Sequence, residues 1–232
     1  MDLHEYCIII PCYNSEKTLP VLVGRIREIS RDLQIIVVDD GSADNTANSF
    51  TKDSKIEILR LKVNRGKGEA LRQGIKRALS LNISYGIFID SDLQHDPGRI
   101  PDFIKLHQDS GLPIIMGKRD LSVKKMPFLR ILSNRMTSAI ISFRTGKKVS
   151  DSQCGFRLLD LHQVQSTECT YGGFQYESEL LIKLLVKKCS LAQIDIPTIY
   201  GKEKSSIKNV SDTLKFIKLF IHCFFWKYNR RK

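Results

Sequence analysis

The sequence predicts an α/β fold, a mostly parallel sheet flanked by helices. Three observations carry this reading. Short apolar runs rich in β-branched residues recur through the first half of the chain and read as buried strands. Segments with apolar residues at helical spacing alternate with them. A strand–helix–strand order implies parallel strands joined by right-handed crossovers.

Residues 6–10 form the first apolar run, stopped by Pro11. Residues 18–29 place Leu19, Leu22, Val23, Ile26 and Ile29 on one helical face. Residues 35–38 are a second strand, followed by Asp39-Asp40-Gly41-Ser42; Ser42 or Asp44 is expected to cap a helix there. Residues 56–61 are a third strand. Residues 68–81 are a helix with Ala70, Leu71, Ile75, Ala78 and Leu79 inward. Residues 85–89 are a fourth strand and 114–117 another. The basic, non-periodic segment 118–125 is a candidate mobile loop. Residues 129–143 read as a helix, 156–159 as a short strand, 176–187 as a helix and 191–196 as a strand. Residues 213–226 are helical and nearly apolar all round, interrupted by Lys215, Lys218 and His222. The expected organisation is a single α/β domain over 1–210 followed by a C-terminal amphipathic or apolar helix within 211–232. No internal repeat or low-complexity linker is visible.

Composition narrows the function classes. The 232 residues are 42% hydrophobic, enough for a real core, and carry a net charge of +12. That charge is compatible with nucleic acid, an acidic lipid surface or a polyanionic substrate. The basic residues of the second half lie among apolar ones without a nucleic-acid motif, so no nucleic-acid partner is expected. Six scattered cysteines form no C-x-x-C pair and have no histidine at zinc spacing; they read as reduced, mostly buried thiols of a cytosolic protein. The N-terminus opens into a strand without a signal-peptide pattern. No apolar run reaches the roughly 20 residues of a spanning helix.

Three of the first four strands end in ligand-capable residues: Pro11-Cys12-Tyr13-Asn14, Asp39-Asp40-Gly41-Ser42 and Asp90-Ser91-Asp92. In a parallel sheet these ends share one rim, where ligands bind. Two carboxylates two residues apart suit a hard divalent cation on a phosphate-bearing ligand. Their bland alternative is a polar turn. Tyr13 can stack on a base, and Asp39 or Asp40 can accept a base N–H or a ribose hydroxyl; helix-cap chemistry is the alternative for Asp40. Asn64-Arg65-Gly66-Lys67-Gly68 opens a helix whose free N–H groups favour anions, with glycines kept for packing as the alternative.

These motifs occur in order with Ser150-Asp151-Ser152-Gln153-Cys154-Gly155-Phe156-Arg157, with Gly173-Phe174 and Glu177, and with Ile196-Pro197-Thr198-Ile199-Tyr200-Gly201 and Lys204-Ser205-Ser206. Each is weak alone. Together, over about residues 6 to 210, the chain resembles family 2 glycosyltransferases of the GT-A (Rossmann-like) fold, in the dolichol-phosphate mannose synthase and polyprenyl-phosphate glycosyltransferase branch. The resemblance implies a GDP- or UDP-linked nucleotide-sugar donor, Mg²⁺ or Mn²⁺ as cofactor, and a lipid-phosphate acceptor. The sugar expected is a hexose, mannose or glucose. By that carry-over Pro11, Tyr13, Glu16, Asp39, Asp40, Lys67, Asp90 and Lys204 serve the nucleotide-sugar. Asp90, Asp92 and Gln94 hold the metal, and Arg119, Arg130 and Ser133 hold the acceptor phosphate. Asp90, Asp92, Arg119 and Arg130 are the residues expected to carry the transfer.

The chemistry is self-consistent. A hydroxyl acceptor needs a general base, whereas a lipid phosphate is already an anion and needs positioning and charge stabilisation. A saccharide or other hydroxyl acceptor is the alternative, and His95 is given no role as its base. A sugar nucleotidyltransferase is disfavoured because Pro11-Cys12-Tyr13-Asn14 stands where its Gly-rich loop would be. A non-catalytic basic membrane-surface adaptor is disfavoured by Asp90, Asp92 and Gln94. Many members of the branch carry spanning helices after the catalytic domain. Here residues 214–226 are too short to span. They can lie at a membrane surface, dock on a membrane-spanning partner or pack on the sheet. The expected location is cytoplasmic and peripheral, on the cytoplasmic face of a membrane.

Overall fold

A computed structural model describes residues 3–48, 53–120, 128–197, 199 and 210–226; the side chains of 128–130 and 210–214 lie outside that description. Among the described residues one sheet holds β1 (Tyr6–Cys12), β2 (Gln34–Asp39), β3 (Ile56–Arg60), β4 (Tyr85–Phe88), β5 (Ile114–Arg119), β6 (Arg157–Asp160) and β7 (Leu191–Ile196). Their order is β3-β2-β1-β4-β6-β5-β7. β6 runs antiparallel to β4 and β5. The other pairings are parallel, so the sheet is mostly parallel, as the sequence predicts.

The helices are α1 (Leu19–Ile29), α2 (Lys67–Ser80), α3 (Ile100–Ser110), α4 (Phe128–Thr145), α5 (Leu161–Gln165), α6 (Gln175–Val186) and α7 (Val210–Phe225). β1 is buried along its whole length, which requires cover on both faces. Its side chains alternate accordingly. Ile8 and Ile10 join a core with α1 and α3. Cys7 and Ile9 face the other core, with α2 and α6. Pro11 sits in this central strand without breaking the ladder. Its pairing is with β2, while pairing with β4 ends at Ile9 opposite Phe88, so the missing N–H falls past the end of the neighbour. α6 is buried round most of its surface and packs against α2, α4, α5 and α7. Leu219, Phe220 and Cys223 of α7 are buried, the last two in the same core. Arg144 of α4 donates to the carbonyls of Cys223 and Trp226, satisfying acceptors that a helix end leaves open.

The structure differs from the sequence reading in particular places. The helix expected after β2 is, in the described residues, only a 3₁₀ turn at Thr46–Asn48; Asp44 Oδ1 accepts from the Thr46 N–H that opens it, while Ser42, Thr46 and Asp44 Oδ2 hold the backbone of residues 14–16. Lys118 and Arg119 belong to β5, not to the following loop, because β7 pairs with them through Ile196; residues 121–127 of that loop lie outside the described residues. α3 and α5 have no counterpart in the sequence reading. The six cysteines are free, four of them buried, and burial raises every thiol pKa. No described helix is long and apolar enough to cross a membrane.

Candidate active site

β1, β2 and β4 run the same way, so the segments that follow them meet on one rim. The first two are laced together. Ser42 Oγ accepts from the Asn14 backbone N–H, Asn14 Oδ1 accepts from the Ala43 N–H, and Thr46 Oγ1 accepts from the Ser15 N–H. Glu16 accepts from the Asn45 N–H, so its carboxylate holds loop backbone. Gly41 makes the turn at φ +73, and a Cβ there would lie 2.7 Å from the carbonyl carbon of Val63. Tyr13 is half exposed beside this turn.

Asp39 is fully buried at the rim. Its Oδ1 accepts from both the backbone N–H and the hydroxyl of Ser42. Its Oδ2 has no hydrogen-bond partner among the described residues; the Arg60 Nε lies 3.5 Å away as an ion pair. A buried carboxylate oxygen left in that state is costly and is suited to a ligand donor. Asp40 is used differently. Its two oxygens accept from the N–H groups of Arg65 and Gly66 at 2.8 and 2.7 Å. It thereby anchors the loop that begins α2, the cap-like alternative of the sequence reading.

Lys67 opens α2, and its Nζ stands 2.6 Å from Asp90 and 2.9 Å from Glu177. Burial alone would lower its pKa, but the two carboxylates outweigh that and raise it. Asp90 is pushed up by burial and held low overall by Lys67. The other side of Asp90 is closed by Gly155, where a Cβ would meet its Oδ2 at 2.4 Å. Of the three residues expected at the metal, Asp90 therefore faces Lys67. Asp92 and Gln94 share a tight loop: the Gln94 N–H donates to Asp92 Oδ1 at 3.0 Å, and Leu93 between them has φ 61. A left-handed non-glycine residue is a form of local strain that clusters at functional sites. Ser91 ties this loop to Ser15 at 2.9 Å. His95 is buried, its Nδ1 without a hydrogen-bond partner among the described residues and its pKa held down at about 4 by burial. Among the described residues no group of three or more His, Cys, Asp or Glu gathers to hold a metal unaided. Carboxylate and amide oxygens from Asp92 and Gln94 do fit a hard cation whose remaining ligands are diphosphate and water.

On the far side, Arg119 grips Asp151 with Nε and Nη2 at 2.7 and 2.9 Å, and Asn134 donates to the same carboxylate. This bidentate pair joins the end of β5 to the segment between α4 and β6, and Asn134 ties α4 to the same carboxylate. Ser133 lies on the exposed side of α4 near Gln153. Arg130 lies in the first turn of α4, its side chain outside the described residues, and Lys204 is outside them altogether. The rim thus brings together Pro11, Tyr13, Glu16, Asp39, Asp40, Lys67, Asp90, Asp92 and Gln94. Glu177 and Asp151 are not among the site residues that the sequence reading names. The available signal for Glu177 is its place beside Gly173-Phe174; composition does not single it out, because α6 also carries Glu179, which is fully buried and paired with Lys183.

Residues 7–162 match the profile of Glycosyl transferase family 2. The chain is 31% identical over 230 residues to an uncharacterized protein of Methanocaldococcus jannaschii, covering 94% of this chain and 98% of that one. It is 28% identical over 228 residues to the undecaprenyl-phosphate 4-deoxy-4-formamido-L-arabinose transferase of Pectobacterium carotovorum, covering 94% and 66%. A UDP-N-acetylglucosamine–dolichyl-phosphate N-acetylglucosaminyltransferase of Methanococcus voltae is 29% identical over 214 residues, covering 83% and 85%. Among solved structures, glucosyl-3-phosphoglycerate synthase from Mycobacterium tuberculosis with Mn²⁺, uridine diphosphate and phosphoglyceric acid superposes with a TM-score of 0.73 at 18% identity, covering 97% and 80%. At that identity the likeness speaks for the GT-A fold.

Proposed function

Because the chain belongs to glycosyl transferase family 2, and is therefore a glycosyltransferase, we propose that it moves a hexose-class sugar from a uridine diphosphate donor to a polyprenyl phosphate. The observation that carries the donor half is Asp39. Uracil offers one N–H between two carbonyls. Guanine offers adjacent N–H groups that call for both oxygens of a carboxylate. Ser42 already gives Oδ1 two hydrogen bonds, and Oδ2 is the one oxygen left, an arrangement that suits a single N–H. The acceptor half draws on the polyprenyl-phosphate and dolichyl-phosphate relatives.

In this reading Tyr13 stacks on the base and Asp39 takes its N–H. Asp92 and Gln94 would hold Mg²⁺ or Mn²⁺, which when bound neutralises charge on the departing diphosphate. Lys67 keeps Asp90 ionised and in place beside the loop that carries Asp92 and Gln94. Ser133, with Arg119 and Arg130, receives the acceptor phosphate, which brings its own negative charge as nucleophile. The catalytic contribution is orientation and electrostatics. The chain acts at a membrane surface because that is where a polyprenyl phosphate lies.

The test is thermal unfolding with UDP or GDP, with and without Mn²⁺, followed by transfer from UDP-glucose, UDP-N-acetylglucosamine and GDP-mannose to polyprenyl phosphate. UDP with Mn²⁺ at a hundredfold excess over its Kd stabilises the chain by about 2.7 kcal/mol, and Asp92→Asn removes the metal-dependent part. Equal stabilisation by GDP would overturn the base assignment. Metal-independent stabilisation of both proteins would overturn the metal role.

A further inference from the structure

The outer surfaces of α4 and α7 leave large apolar side chains in water. Phe143 is 82% exposed and Phe225 76%, and Ile217, Ile221 and Phe224 are about half exposed. The rings of Phe143 and Phe224 lie 6.2 Å apart, so the two helices share one ridge. Along α4 the ridge continues through Met136 to Leu132, at helical spacing from Phe143. Soluble chains rarely leave contiguous apolar surface of this kind without a partner.

We propose that this ridge seats the protein on an anionic lipid bilayer, lying in the interface and not crossing it. The inference rests on the polyprenyl-phosphate reading above. Charge selects the occupant. α4 contains Arg130, Arg135 and Arg144 and no acidic residue; α7 contains Lys215 and Lys218 against Asp212. Lys147 and Lys148 are exposed just beyond Phe143. An apolar face flanked by Lys and Arg is the pattern of an interfacial helix. A second copy of the chain would set these basic helices against each other. Position agrees: the ridge begins at Leu132, the neighbour of Ser133, and runs about 16 Å to Phe143 at 1.5 Å per residue. A lipid whose phosphate reached Ser133 would keep its tail in the bilayer that the ridge enters.

The experiment is co-sedimentation of the full chain with vesicles of phosphatidylcholine alone or with 30% phosphatidylglycerol. Binding is expected to be at least tenfold tighter to the anionic vesicles. Trp226, the single tryptophan, packs on the protein's own core with Lys183 over its ring, so in a Trp226→Phe background brominated acyl chains should quench the tryptophan of Phe143→Trp. The pair Phe143→Ser with Phe225→Ser should weaken binding at least tenfold, as should Ile217→Ser with Ile221→Ser. An unchanged Tm shift with UDP and Mn²⁺ certifies that each variant folds. No vesicle binding by the native chain, equal binding by both folded variants, or no quenching of the tryptophan at position 143 would overturn the seat. Concentration-dependent dimerisation abolished by the same substitutions would overturn it in favour of a second copy. If the native chain binds vesicles but transfers no sugar to polyprenyl phosphate, the seat stands and the acceptor reading fails.

Discussion

Lys67 ties together two carboxylates that are far apart in the chain. Lys67, Asp90 and Glu177 expose only 17%, 29% and 15% of their side chains, so the pairing acts in a partly desolvated setting. Removing one member of a fully buried pair costs about 3–5 kcal/mol; partial exposure here reduces that. Lys67→Met should lower stability by about 2 kcal/mol in urea unfolding and weaken UDP–Mn²⁺ binding by at least tenfold. A variant with native affinity would show that the ammonium does not position Asp90. Lys67 and Asp90 are each legible in the sequence, as a helix-opening cation and a strand-end carboxylate. Their contact is not, because it depends on how α2 and β4 lie against one another. The same holds for Arg119. Its charge suggests a phosphate, and only the fold brings Asp151 to it.

Among elements, strands are the most legible, because buried parallel strands read as continuous apolar runs. α3 escapes the sequence pattern for a physical reason. Its buried positions are Ile100, Phe103, Ile104 and His107; the last counts as polar in a sequence pattern, yet its ring packs on Tyr85 at a centroid distance of 4.1 Å and hydrogen-bonds Tyr6. α5 has five residues, too few to show a period. The direction of β6 leaves no mark in its composition. α2 lies very close to β1: a Cβ on Gly74 would meet the Ile9 Cγ2 at 2.6 Å and the Val38 Cγ2 at 3.2 Å. Both obstacles are methyls of β-branched side chains, which have little rotamer freedom. In an exposed helix Gly→Ala gains about 1 kcal/mol. Here overpacking of about 1–3 kcal/mol opposes it. Gly74→Ala should therefore be destabilised by about 1 kcal/mol, read as a lower urea midpoint at unchanged m-value. A stabilised variant would mean that α2 moves away from the sheet at little cost.

At the scale of the molecule, two cores on one sheet hold a rim of charge, and acid strains that arrangement. Burial lowers the His107 pKa below its ordinary 6.5, while Asp160 and Glu5 pull it weakly back. The unfolded chain takes up this proton near pH 6.5 and the folded chain only lower. Stability from this group is complete above about pH 6.5 and is lost as pH falls from there through the folded value. His95, held at about 4 by burial, loses stability over the same range, so the urea midpoint should drop between about pH 7 and 5, and His107→Gln should remove only the His107 part of that drop. An equally steep fall in the variant would assign it to other groups. The sheet also shields sulfur. Every thiol of the chain is shifted upward by burial, Cys154 and Cys169 to about 12, so almost no thiolate exists at neutral pH. Four of the six thiols are buried and Cys169 and Cys189 are partly exposed, so replacing those two by Ser leaves a quiet background for thiol-directed dyes. A cysteine installed at Phe143 would be the one fast-reacting handle, and an environment-sensitive fluorophore there would show in real time whether that spot leaves water.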